Sequence, residues 1–324
     1  MSESLRVIIS LDVEEEGLFS GSYERLKPTV HNVQHLTVLK QLSLEFGIPL
    51  TLLCAHSVFM DKKACLVLED LRDNAAAEIG AHLHHWNTPP LSSGSGSGSP
   101  ERTHKLNPEL LRQKLKTLLS AGRDFQGEPL RSFRMGRWDL KAELLPMLAE
   151  EGIKVDSSIC PLRAFNGGAD HFLSPSDPYW RQTPSGRILE APISQLAIFP
   201  ALAKTWHGLW RKKPKILDSF HFFAAMSANP LWHSAQVMRQ AARTHISRGG
   251  KILNLFLHSS ELMPGGSPHI PDQAAAKRIV AKLQTFIGWL FKNYNCTGIR
   301  MGDLPELDSV LKWPLLLAPK DGDW

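Results

Sequence analysis

Apolar positions fall along this chain in two rhythms. Short continuous runs rich in Val, Ile and Leu read as strands buried on both faces of a parallel sheet. They alternate with longer stretches whose apolar residues recur every three or four positions, as in amphipathic helices. The runs at 7–11, 48–53, 75–82, 130–134, 153–156, 187–192, 252–258 and 297–301 predict strands, and the stretches at 30–46, 67–74, 107–122, 141–151, 235–247 and 272–293 predict helices. Gly47 stops the first helix; Pro108 opens the third, which turns Leu110, Leu111, Leu115, Leu118 and Leu119 inward. This alternation predicts an α/β fold, a distorted (β/α) barrel of about seven parallel strands, closed or nearly closed.

Two segments break the rhythm without dividing the single domain expected over 1–324. Residues 91–102 hold a Ser/Gly tract that cannot bury apolar area, and a flexible surface loop is expected there. The insert at 194–231 brings Trp206, Trp210, Phe220 and Phe222 beside Arg211, Lys212, Lys213 and Lys215.

Composition narrows the class. With 324 residues and 43% hydrophobic side chains the chain can bury a sizeable core. No apolar run approaches the ~20 residues of a membrane span, and strand one begins too early to leave room for a signal peptide, so a cytoplasmic location is expected. Cys54, Cys65, Cys160 and Cys296 lack metal-type spacing and read as reduced packing residues. Net charge is +5, yet residues 199–251 carry nine Lys/Arg against Asp218 alone. Basic residues among aromatics suit an anionic glycan or lipid-linked sugar, or peripheral contact of 204–215 with the inner face of an anionic membrane; a helical lid packed on the barrel is the plainer alternative. No recognition motif for nucleic acid accompanies them.

The candidate chemistry sits at the strand ends: Asp12 and Glu14, then His82, His84 and His85, then Arg134 and Arg137, then Asp156, and finally His258. Carboxylates ending a buried strand need water, a partner or a cation. In extended chain Asp12 and Glu14 share a side, while Val13 and Glu15 face away.

Five stretches carry a resemblance: Ser-Leu-Asp-Val-Glu-Glu-Glu at 10–16, Glu-Ile-Gly-Ala-His-Leu-His-His-Trp-Asn-Thr-Pro-Pro at 78–90, Ser-Phe-Arg-Met-Gly-Arg at 132–137, Val-Asp-Ser-Ser at 155–158 and Leu-His-Ser-Ser-Glu-Leu-Met-Pro-Gly-Gly-Ser-Pro at 257–268. In this order they resemble the polysaccharide deacetylases (NodB homology, carbohydrate esterase family 4), in particular a branch with an Asp-Val-Glu first motif linked to lipopolysaccharide or capsule assembly.

The resemblance implies Asp12 as general base, Glu14, His82 and His84 as ligands of Zn2+ or another divalent transition metal, Arg134 orienting Asp12, and His258 as general acid with Asp156 holding its charge. It also implies Trp86, Arg137, Ser259 and Ser260 as substrate contacts. His85 replaces His84 as ligand if the loop begins a helix. Two histidines and a carboxylate leave an open position on a tetrahedral zinc, as in hydrolytic sites. The implied reaction removes acetyl from an amino sugar of a cell-surface glycan or its lipid-linked or nucleotide precursor, by attack of water held at the metal. A C–N hydrolase of small non-sugar amides, akin to allantoinase-type barrels, and an inactive carbohydrate-binding relative are the alternatives. The base and acid at Asp12 and His258 weigh against the latter.

Overall fold

The computed structural model describes residues 4–23, 26–91 and 99–316. Most of the Ser/Gly tract, 92–98, lies outside them. The strands are β1 (Leu5–Val13), β2 (Leu50–Cys54), β3 (Glu78–Leu83), β4 (Ser132–Met135), β5 (Val155–Asp156), β6 (Tyr179–Thr183), β7 (Gly186–Glu190), β8 (Gln195–Ala197), β9 (Ala225–Ser227), β10 (Ile252–His258), β11 (Cys296–Gly298) and β12 (Leu315–Leu316).

Seven of them, in the order β10-β1-β2-β3-β4-β5-β7, pair in parallel. Their apolar runs are continuous because helices cover the sheet's outer face while the barrel interior fills the other; β1 is buried along nearly its whole length. The sheet curls until the chain following β7 meets β10. There Ser194 N–H donates to Asn254 O at 3.1 Å, and Asn254 Nδ2 donates to the carbonyls of Ala191 and Pro192. Beyond β7, β6 runs antiparallel and carries β12, while β11 pairs with the start of β1. The hairpin strand β6 is absent from the sequence-based expectation, which followed only the βα alternation.

Helix Pro108–Gln126 is built as its sequence suggests at one end and not at the other. Asn107 Oδ1 accepts from the N–H groups of Glu109 and Leu110, and Pro108 needs no donor there. Gly122, where the expected helix ends, lies inside the helix and packs on Leu130: a Cβ there would stand 2.4 Å from Leu130 Cδ1. The helix ends at Gly127, which takes the left-handed conformation at φ 80°. Helices Ala235–Ser247 and Gln273–Asn293 are capped by Ser234 and Asp272.

The insert forms three short helices, Pro200–Trp210, Pro214–Asp218 and His221–Ala224, bracketed by the antiparallel pair β8–β9. Phe220, Leu217 and Ala203 bury against Leu162 and Phe172, with Trp206 and Trp210 partly covered. Leu209 and Phe222 remain 69% and 82% exposed. Among the described residues no helix is long and apolar enough to cross a membrane. All four cysteines are free thiols.

Register brings the ionisable strand ends together. Asp12 lies opposite His258 on β10, and His82 lies opposite Arg134 on β4.

Candidate metal centre and its cavity

At the end of β1 the side chains of Asp12 and Glu14 converge on β3 and the loop after it. Glu14 Oε2 lies 3.2 Å from His82 Nε2 and 3.2 Å from His84 Nε2. One donor atom from each of the three residues lies within 4.8 Å of the others, and all three residues are buried. Burial alone would raise the Glu14 carboxyl, but the charges and hydrogen bonds of His258, His82 and His84 hold it well below the usual carboxylate range. Ser259 Oγ accepts from Glu14 N–H, and Asn32 Nδ2 donates to both Glu14 O and Ser259 Oγ, which fixes the backbone beyond Val13.

Glu15 does not face away. Strand β1 ends at Val13, the alternation of extended chain ends with it, and Glu15 is buried with its two carboxylate oxygens 2.9 and 2.8 Å from His84 Nδ1. It also accepts from Trp86 Nε1 at 2.9 Å. A carboxylate on Nδ1 sets the tautomer that leaves Nε2 free for a cation. Burial opposes protonation of His84, but Glu15 and Glu14 outweigh it and raise the imidazole to about 10. His84 must therefore release a proton before it can ligate, so metal affinity falls as pH is lowered.

His85 belongs elsewhere. Its Nε2 meets Glu101 O at 3.0 Å, and burial pulls its pKa down to about 4. The donor set present is thus two imidazole nitrogens and one carboxylate, a combination that suits zinc and similar divalent ions. Replacing Glu15 with glutamine removes the charge behind His84, and a drop of about 10- to 100-fold in metal affinity is expected. Chelator competition measures it; unchanged affinity would contradict the role given to Glu15.

Asp12 has two faces. Its Oδ1 accepts from Arg134 Nη1 at 2.6 Å, and its Oδ2 lies 3.9 Å from both His82 Nε2 and His258 Nε2. Arg134 is wholly buried, and its remaining donors go to Ser157 O, Ser10 Oγ and Ser157 Oγ. Ser10 Oγ in turn donates to Asn254 Oδ1. The bonds of this cluster tie β4 to β1, β1 to β10, and β4 to the residue just after β5, so the Asp12 carboxylate is held rigidly toward the site.

The partner of His258 is Glu261, not Asp156. Glu261 follows in the helical turn Ser259–Leu262 and places Oε1 2.6 Å from His258 Nδ1. Asp156 spends its oxygens on Ser158 N–H and Oγ and sits opposite Glu190 on β7; burial raises both carboxyls, and Glu190 is raised further by the neighbouring acid. For His258 burial favours the neutral form, but Glu261, Glu14 and Asp12 overcome it and raise the imidazole to about 9. As a proton donor it is competent below that pH and loses competence above it. Glu261→Gln should move the alkaline limb of activity to lower pH by about one unit. A limb that stays in place would remove Glu261 from this role.

These groups open into a cavity of about 710 Å³, lined by Glu14, His84 and His258 and walled by Phe19, Tyr23, Trp86, Trp138 and Trp232. Trp86 stacks on His84 with centroids 4.1 Å apart, and Phe19 meets His258 edge-on at 4.7 Å. Arg137 also lines the cavity, with Nη1 donating to Pro100 O and the guanidinium over Tyr23. Arg137 and Trp138 both take positive φ, 61° and 49°, a conformation that costs energy in non-glycine residues. Gly136 before them is required by His84, whose Cδ2 would lie 2.3 Å from a Cβ there. Ser259 and Ser260, expected as substrate contacts, are buried and do not line the cavity; the Ser259 hydroxyl is committed to Glu14 and Asn32. The basic segment 204–215 does not line it either. Glu261 was detectable as an acid one helical turn after a histidine, and Glu15 as an acid next to a candidate ligand. Nothing local marks Asn32 or Asn254.

No family model and no curated protein matches this chain. Solved structures do. A protein assigned as a polysaccharide deacetylase from Mycobacterium smegmatis superposes with a TM-score of 0.59 at 15% identity, covering 99% of this chain and 96% of its own. Another so assigned, from Pseudomonas aeruginosa PAO1, gives 0.56 at 14% identity, covering 94% and 91%. The 4-alpha-glucanotransferase of Thermococcus litoralis gives 0.58 at 12% identity, covering 98% of this chain and 42% of its own. At such identities the likeness is one of fold, a distorted α/β barrel. Because it extends to a glucanotransferase, chemistry has to be argued from the donor atoms.

Proposed function

We propose that this protein is a metal-dependent hydrolase that removes acetyl from an N-acetylated amino sugar. The observation that carries the reading is the convergence of Glu14, His82 and His84 beside Asp12 and His258, whose Oδ2 and Nε2 lie 3.9 Å apart. A divalent ion held by the three ligands, zinc or a similar transition metal, would act as a Lewis acid on the amide carbonyl and make water more acidic.

The chain's own residues do the rest. Asp12 Oδ2, kept free by the bond of Oδ1 to Arg134, takes a proton from the attacking water. His258, kept protonated by Glu261, gives its proton to the sugar nitrogen as the C–N bond breaks, so acetate and a free amine leave. Trp138 and Trp232, with the buried Trp86 behind them, line the space in which the sugar ring can stack. Carbohydrate binding alone would need neither base nor acid.

The physiological substrate in this reading is a cell-surface glycan such as lipopolysaccharide or capsule, or a lipid-linked or nucleotide precursor met at the inner face of the membrane. Exposed Leu209 and Phe222 beside Arg211, Lys212, Lys213 and Lys215 support peripheral contact of the insert, through 204–215, with an anionic bilayer. Incubation of the zinc-loaded protein with N-acetylated amino sugars and their oligomers should release acetate. Release from none of them, with metal bound, would reject the reading.

A further inference from the structure

The cavity has a wall that acetyl hydrolysis does not use. Ala275, Arg278, Ile279 and Lys282 all line it from helix Gln273–Asn293, and their spacing of three and four puts them on one face. Lys282 Nζ donates to the carbonyls of Pro230 and His233, pinning the turn that carries Trp232. Among the described residues its ammonium has no carboxylate partner. Arg278 is exposed toward the cavity, and among the described residues no hydrogen bond or ion pair engages its guanidinium. Arg137, across the cavity, likewise has no carboxylate partner among them.

The acids that line the same space are Glu14 and Glu261, and each is matched by imidazoles: Glu14 by His82 and His84, Glu261 by His258. Among the described residues its outer part is therefore cationic without counter-charge, and a cleft lined by one sign of charge gathers ligands of the other. At about 710 Å³ the space exceeds what one amino sugar fills and leaves room for a neighbouring group.

We infer that the sugar taken by this cavity carries an anionic group, a phosphate or a carboxylate, adjoining the acetylated unit and held at the Arg278–Lys282 wall. The inference rests on the deacetylase reading for the sugar and on the wall for the anion. A guanidinium forks onto either anion through paired N–H donors, whereas neutral chitin-like chains would leave it idle. Phosphate would mean a sugar phosphate or diphosphate-linked precursor; carboxylate would mean a polymer containing uronic acid.

Calorimetric titration decides the matter. The protein is stripped with EDTA so that a phosphate cannot register by coordinating an ion at Glu14, His82 and His84. N-acetylglucosamine 1-phosphate, or a hyaluronan tetrasaccharide carrying glucuronate, should bind about tenfold or more tighter than N-acetylglucosamine or chitotetraose of matched length, with the gain shrinking as salt is added. The probe that shows the gain identifies the source of the anion. Arg278→Ala, at an exposed position where folding is not at stake, should remove most of the gain, and Arg278→Lys should restore part of it. Equal affinity for neutral and anionic probes, or a gain unchanged in Arg278→Ala, overturns the inference. Because binding is read on stripped protein, the two readings fail separately. Acetate release from neutral oligomers without anion preference removes only the wall's role; preference without acetate release from any substrate removes only the hydrolase.

Discussion

Replacing His82 with alanine is expected to abolish stoichiometric metal binding and lower turnover by about three orders of magnitude or more, the equivalent of several kcal/mol of lost transition-state stabilisation. The ring is wholly buried, and its Nε2 stands 3.2 Å from Glu14 Oε2. Without it Glu14 and His84 remain, too few donors for a closed hold on a divalent ion. The fold should survive, because the strand β3 that carries position 82 is anchored by its backbone ladders to β2 and β4 rather than by this side chain. Elemental analysis and circular dichroism of the variant separate the outcomes. Native metal content with full activity would refute the ligand assignment.

Asp12→Asn is expected to have the opposite signature: metal retained, turnover reduced by about 10²- to 10⁴-fold as for loss of a general base. Asparagine keeps an oxygen for Arg134 Nη1 but cannot accept the proton at the position of Oδ2. It also leaves the buried guanidinium of Arg134 without its counter-charge, and removing one partner of a buried pair costs ~3–5 kcal/mol. A lowered melting temperature should therefore accompany the lost turnover. Turnover equal to that of the native protein would take Asp12 out of the role of base.

The sequence makes legible whatever depends on local period or on strand ends. The runs that become β1 and β10 carry Asp12, Glu14 and His258 to one end of the sheet, and parallel register does the rest. Spacing alone leaves His84 and His85 both open and the resemblance favours His84; in the structure His84 lies with Glu14 and His82, while His85 meets Glu101 O. Glu15 was misplaced because alternation was carried two residues past the end of β1, where Asn32 and Ser259 redirect the backbone. Asp156 was misassigned because a partner for a charged imidazole is chosen by tertiary distance; Glu261, one turn away, reaches Nδ1 first. The expected helix ends at 122 rather than 126 because sequence does not show that Leu130 will press against Gly122. The network behind Arg134 links Ser10 to Asn254 across 244 positions, and no window along the chain contains both. Ser259 and Ser260 illustrate the same limit: they follow His258 directly in sequence, but the turn they form leaves both buried, with the Ser259 hydroxyl on Glu14 N–H and Asn32.

Metal stoichiometry of the purified native chain, by elemental analysis before and after reloading with zinc, tests the central claim most directly. Glu14, His82 and His84 predict about one equivalent of a divalent transition metal per chain, released more readily as pH falls and protons compete for the imidazoles. A chain that holds no metal even after reloading would contradict the account.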